Sequence, residues 1–121
     1  MLRGVRGAIT VSADTKDEIL DATEELLKAM AENNNIDVDD VASIFFSLSP
    51  DLHSAFPAAA ARRINWTSVA LFCQQELEIS GAMEKCIRVL IHWNTDKAPA
   101  EIKHIYLRDA TRLRPDLIAK K

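Results

Sequence analysis

Residues 86–94 read Cys86-Ile87-Arg88-Val89-Leu90-Ile91-His92-Trp93-Asn94. A β-strand turns successive side chains to opposite faces. Ile87, Val89, Ile91 and Trp93 therefore share one face, and Cys86, Arg88, Leu90, His92 and Asn94 share the other. The segment belongs in a sheet with one apolar face and one face that sets an arginine among apolar neighbours. Residues 2–11 repeat the division. Val5, Ile9 and Val11 share one parity, and Gly4, Arg6, Ala8 and Thr10 share the other.

The apolar face needs a cover, and the next segment supplies one. Thr15-Lys16-Asp17-Glu18 has the capping-box pattern, in which Thr15 and Glu18 satisfy each other's backbone amides. Behind it Ile19, Ala22, Thr23, Leu26, Leu27 and Met30 recur at three- and four-residue spacing. That is a single apolar stripe on a helix, with acids and Lys28 opposite. Asn33-Asn34-Asn35 ends it, because short amides tolerate the left-handed conformation at a helix C-terminus.

A polar turn over 37–40 leads to an apolar strand over 41–48, punctuated by Ser49-Pro50-Asp51. Residues 57–64 read as a short Ala-rich helix with Pro57 in its first turn. Strands are expected over 68–75 and 104–107, and a stub helix over 100–103 with Pro99 near its start. From Arg112 the chain is polar and proline-interrupted, so 112–121 is expected to be an extended, mobile tail. The expected fold class is α+β: a mixed five-stranded sheet with one long helix on one face. One helix covers one face, so the arginine-bearing face is expected to meet another subunit.

Composition bounds the function. The 121 residues carry 15 Lys+Arg against 18 Asp+Glu, a net charge of −3, and fit a single domain spanning 1–121. An acidic chain without a basic block is poorly suited to nucleic acid. The longest uncharged run, 41–50, is far short of a membrane span. The first seven residues hold no apolar signal core. Cys73 and Cys86 are too few and too distant for a disulfide scaffold or a zinc knuckle. A cytoplasmic protein that uses neither metal nor cofactor is expected.

Arg6 and Arg88 are the foremost candidate site residues, since a guanidinium offers a permanently charged fork that matches carboxylates and phosphates. Glu76 closes the third expected strand, with Cys73 three residues before it on the opposite parity. Both reach one site only if the strand bulges or ends between them. A second reading leaves the arginines solvated on an open face, with Glu76 as a surface ion-pair partner. Cys73 and Cys86 read as small core residues. His53, His92 and His104 lack ligand spacing. Gly4 and Gly7 open no phosphate loop. Asp17 to Glu25 reads as a solvated helix face, and Trp66, Trp93 and the phenylalanines as packing.

Six segments in order resemble the monofunctional barrel-type chorismate mutases. They are Arg3-Gly4-Val5-Arg6-Gly7-Ala8, Pro50-Asp51-Leu52-His53-Ser54-Ala55-Phe56-Pro57-Ala58, Cys73-Gln74-Gln75-Glu76, Lys85-Cys86-Ile87-Arg88-Val89, His104-Ile105-Tyr106-Leu107 and Leu113-Arg114-Pro115-Asp116-Leu117. The likeness is collinear from about residue 2 to 117. It implies a homotrimeric pseudo-α/β barrel with active sites between subunits, converting chorismate to prephenate in phenylalanine and tyrosine biosynthesis. That step is a unimolecular Claisen rearrangement, which needs no nucleophile, proton transfer, metal or cofactor.

The resemblance also implies roles. Arg88 faces the ether oxygen of the substrate, Arg6 binds a carboxylate, and Tyr106 helps to hold the same dianion. Glu76 and Cys73 bond the ring hydroxyl, and Arg62 stands at the cleft mouth. Phe56, Ala58, Leu71 and Phe72 line the pocket, while Leu113 and Arg114 come from a tail that closes over it. The chain departs from the family pattern at Ala59, where a lysine is common, and at Phe72, where a smaller hydroxyl residue is common. The loop before Trp66 is one residue short. Two other classes would use similar arginines: a non-catalytic trimer binding a small carboxylate as a regulator, and an enamine/imine deaminase of similar trimeric shape.

Overall fold

The computed structural model describes residues 1–114. Five strands and two helices occur in the order β1 (Leu2–Thr10), α1 (Lys16–Asn34), β2 (Val41–Leu48), α2 (Ala59–Arg63), β3 (Ala70–Gln75), β4 (Cys86–Asn94) and β5 (Ile105–Leu107). Short 3-10 turns stand at Val38–Asp40, Pro99–Glu101 and Arg108–Arg112. The strands form one sheet ordered β3-β2-β4-β1-β5. β4, the segment with the clearest parity, lies at its centre. It pairs antiparallel with β1 and β2, while the outer pairs β1–β5 and β2–β3 are parallel. The sheet is therefore mixed, as expected.

The apolar parity of each strand meets α1. Val5, Ile9, Ile44, Phe46, Ile87 and Ile91 are wholly buried, together with Ile19, Leu26, Leu27 and Met30 of the helix. Burying aliphatic side chains of this kind is worth roughly 1.5–3 kcal/mol each, so this single layer dominates the stability of the fold. Thr23, also buried, satisfies its hydroxyl by donating to Ile19 O at 2.7 Å. Asn34 is buried too, and its amide bonds Met30 O, Lys103 O and Lys103 N. It therefore ties the end of α1 to the approach of β5. Asn35 takes the left-handed conformation that ends the helix, with φ 55°.

Several local expectations are corrected. Only half of the capping box forms: Thr15 Oγ1 accepts from Glu18 N at 3.2 Å, but the Glu18 carboxylate turns to the Ser12 amide and hydroxyl. β3 starts at Ala70 instead of 68, where its pairing with β2 begins opposite Ser43. Glu76 falls just past β3. α2 is shorter than 57–64. The stub helix is a single turn at Pro99–Glu101 and not 100–103, since Lys103 N is already taken by Asn34 Oδ1.

The chain after β5 is not extended at its start either. Arg108 adopts φ 56° and sends Nη1 to Thr10 O and Nη2 to Glu25 Oε1, both at 2.9 Å. Asp109 N reaches Thr10 Oγ1, and Ala110 is wholly buried. The turn Arg108–Arg112 is thus docked on the end of β1, and Arg112 belongs to it. The remainder of the expected tail, 115–121, lies outside the described residues.

Candidate active site

The second face of the sheet is organised in rows. Register aligns Gln74 of β3 with Ser47 of β2, Ser47 with Arg88 of β4, Arg88 with Ala8 of β1, and Ala8 with Tyr106 of β5. The adjacent row runs Phe72, Phe45, Leu90, Arg6. Phe72 apart, these two rows floor a cleft of about 330 Å³ lined by Arg6, Ser47, Gln74, Arg88, Leu90 and Tyr106, among others. The parity of two strands thus brings Arg6 and Arg88 into one concavity. No helix of the chain lies over it among the described residues.

Glu76 stands against Ser47 and Arg88 at the edge of this cleft because it shares the parity of Gln74, which the ladder sets beside Ser47. Its backbone N–H is fixed to Leu48 O at 2.7 Å, and its Oε1 accepts from Ser47 Oγ at 2.6 Å. Arg88 Nε lies 3.2 Å from the same oxygen, but out of line for a hydrogen bond. Arg88 and Glu76 are therefore close ions that do not satisfy each other. Both side chains remain part-exposed, at 43% and 37%. The contact alone is worth little to stability, and the arginine keeps donors for an external anion.

The start of β4 is pinned on the same side. Ser49 Oγ donates to Asp51 Oδ1 and accepts from Cys86 N, while the Asp51 carboxylate takes Lys85 N at 2.9 and 3.1 Å. This clamp holds Lys85 at φ 48° and sets the register that aims Arg88. Cys86, next in line, is buried, and burial pushes its thiol up to about 11, so it is no nucleophile. On the other flank Arg6 N donates to His104 Nδ1 at 2.9 Å. Burial, then the nearby Arg6 and Arg114 charges, lowers the His104 pKa from its ordinary value. Leu113 and Tyr106 pack on one small cluster with Ala8, Cys86 and Ala110.

The other sequence candidates form a separate place. Phe56, Ala58, Arg62, Leu71, Phe72 and Cys73 line a second cavity of about 590 Å³ between β3, α2 and the start of α1. Cys73 points to the core side of β3, away from Glu76, and burial raises its thiol, opposed by an Ala58 backbone hydrogen bond and the Arg62 charge. Phe56 and Phe72 are 77% and 58% exposed, which corrects the reading of all phenylalanines as packing. Asp14, just before α1, holds this region through Oδ1, which accepts from His53 N and Ser54 N, and α1 itself does so through Asp21, whose Oδ1 lies 2.7 Å from Arg63 Nη1. Within one chain the two groups share no lining residue.

No site role is assigned by sequence to Ser47, nor to Gln74 and Asp51, although the last two lie within segments that carry the resemblance. The alternation of β2 contained the signal for Ser47, which shares the parity of Ser43 and Phe45 against Ile44, Phe46 and Leu48. No comparable pattern marks Asp51. Among the described residues no group of three or more His, Cys, Asp or Glu could hold a metal ion, and no helix is long and apolar enough to cross a membrane.

Two arginines and a tyrosine line one cleft, with a carboxylate against one of the arginines, an arrangement suited to holding a small anion by position and charge. Residues 2–117 match the family model described as chorismate mutase type I. The chain is 43% identical over 122 residues to the chorismate mutase AroH of Bacillus subtilis (strain 168), covering all of this chain and 96% of that one. It is 48% identical over 118 residues to the chorismate mutase AroH of Thermus thermophilus, covering 97% of each. A solved chorismate mutase from Clostridium thermocellum superposes with a TM-score of 0.90 at 52% identity, covering 91% of this chain and 98% of that one. The chain belongs to the type I chorismate mutase family, and is accordingly a chorismate mutase, an isomerase.

Proposed function

We propose that the cleft of Arg6, Arg88 and Tyr106 converts chorismate to prephenate by folding the substrate into a chair and stabilising the charge that grows on its ether oxygen. Folding a flexible dianion is an entropic task that oriented charges perform. Arg88, at the middle of the sheet, is the donor to the breaking C–O bond, and one preorganised donor of this kind is worth roughly 3–4 kcal/mol. Arg6 and Tyr106 hold carboxylate. Glu76 accepts from the ring hydroxyl as an orienting group and not as a general base. The rearrangement moves no proton and needs no metal or cofactor.

The site is completed by a second copy. Phe56, Ala58, Arg62, Leu71, Phe72 and Cys73 of one copy close the cleft of its neighbour, with Leu113 and Arg114 beside it. Three copies with their open faces inward make the pseudo-α/β barrel. The whole chain, 1–121, serves as one domain in each copy, and the cytoplasm is the compartment this reading assigns. The observation that carries the reading is that the two groups of site residues occupy different cavities of one chain, while the sheet face bearing Arg6 and Arg88 has no covering helix among the described residues.

Mixing two impaired variants tests it. Arg88→Ala spoils one group and Arg62→Ala the other. If sites form between copies, subunits exchanged by mild denaturation and refolding regain turnover above the mean of the two parents, because some interfaces then hold both intact groups. Mixed oligomers that show only the mean activity count against the composite site.

A further inference from the structure

We propose that Ser47 is a positioning residue that keeps Glu76 from capturing Arg88. The proposal rests on the roles given above to Glu76 and Arg88. Glu76 stands just past β3, its backbone tied to β2 through Leu48 O, and its side chain lies directly against a guanidinium. A carboxylate beside an arginine relaxes toward the bidentate fork, in which two parallel N–H groups bond both oxygens. The observed pair is different. Ser47 Oγ donates to Oε1 at 2.6 Å, within the short range of hydroxyl bonds to a carboxylate. Arg88 meets that same oxygen with Nε alone, 3.2 Å away and out of line.

Two consequences follow from the sharing of Oε1. Among the described residues Oε2 accepts no hydrogen bond, so it is left to receive a ligand hydroxyl. The terminal nitrogens of Arg88 are likewise not spent on Glu76, and remain for an anion. The backbone makes this arrangement stable, since Ser47 lies directly opposite Arg88 in the β2–β4 ladder and β2 is an inner strand. Ser47 touches neither reacting atom; it acts through Glu76.

The test is a double-mutant cycle on chorismate turnover, with urea unfolding of each variant. Ser47→Ala is expected to lower kcat/KM by about tenfold, the scale of one lost hydrogen bond to a charged group. Ser47→Thr, which keeps the hydroxyl, should return it to within about threefold of the parent. In a Glu76→Ala background, Ser47→Ala should change kcat/KM by less than about twofold, because the residue it acts through is gone. The ligand-free crystal structure of Ser47→Ala should show a bidentate Arg88–Glu76 pair. An undiminished kcat/KM in Ser47→Ala, an equal loss in the Glu76→Ala background, or an unmoved Glu76 side chain each overturns the proposal. A Glu76→Ala variant of full activity instead overturns the role given to Glu76 itself.

Discussion

Gly7 on β1 lies so close under Met30 of α1 that a Cβ there would stand 2.5 Å from Met30 Sδ, with Leu26 Cδ1 at 3.2 Å. The neighbouring residue, Arg6, points to the opposite face, so this close contact of helix and sheet lies directly behind the cleft that Arg6 and Gly7 line. Met30 has no exposed surface into which to retreat. Gly7→Ala is expected to destabilise the protein by about 1–3 kcal/mol, the usual cost of overpacking a core. Urea unfolding checks it; an unshifted midpoint would mean that Met30 repacks freely.

Arg88→Ala should lower turnover by on the order of 10³-fold, by loss of a donor aimed at developing charge. Arg88→Lys should be similarly poor, since a point charge on a flexible stem does not replace a fixed fork. Steady-state decay of chorismate absorbance measures both, with size-exclusion chromatography showing that assembly is unchanged. Near-normal turnover in Arg88→Ala would remove the electrostatic assignment.

For Glu76→Gln a smaller loss than for Arg88→Ala is expected, because the amide oxygen still accepts a hydrogen bond from a hydroxyl. If Glu76 only orients, the rate should not trace a bell against pH. A bell that vanishes in Glu76→Gln would make it a proton carrier instead.

His104 gives the fold a pH response of definite sign. Its pKa in the folded chain is lowered, by burial first and then by Arg6 and Arg114. The unfolded chain, with an ordinary value of about 6.5, therefore binds more protons in the window below it. This contribution to stability is complete above about pH 6.5 and declines as the pH falls toward the lowered value. Protonation at Nδ1 also removes the acceptor of Arg6 N–H. Unfolding midpoints between pH 8 and 5.5 should fall more steeply for the parent than for His104→Asn. Parallel curves would exclude the group.

Much of this fold is legible in residue alternation. The parity of Cys86 to Asn94 separates Arg88 from Ile87 and Val89, and burial follows it from Ile87 to Asn94, with Cys86 the exception, buried on the other face. The stripe from Ile19 to Met30 is likewise the buried face of α1. What alternation does not contain is which strand a segment pairs with and in what register. β3 pairs with β2 so that Gln74 lies beside Ser47 and Cys73 beside Phe46. Cys73 therefore stays on the core side, and Glu76 falls on the side of Arg88. Parity put these two residues on opposite faces, and the pairing with β2 decides which of them meets Arg88. Side-chain partners chosen by tertiary contact, such as Glu18 with Ser12 or Asp51 with Lys85 N, are beyond any local pattern.

The row Gln74, Ser47, Arg88, Ala8, Tyr106 takes one position from each of the five strands. Adding or deleting a single residue inside any strand would invert its remaining side chains, carrying a cleft group into the core and a core group into the cleft. Length variation is therefore tolerable only between strands. The segment from Leu77 to Glu84, with Leu77 and Ile79 largely exposed, lies between strands and is free of that constraint.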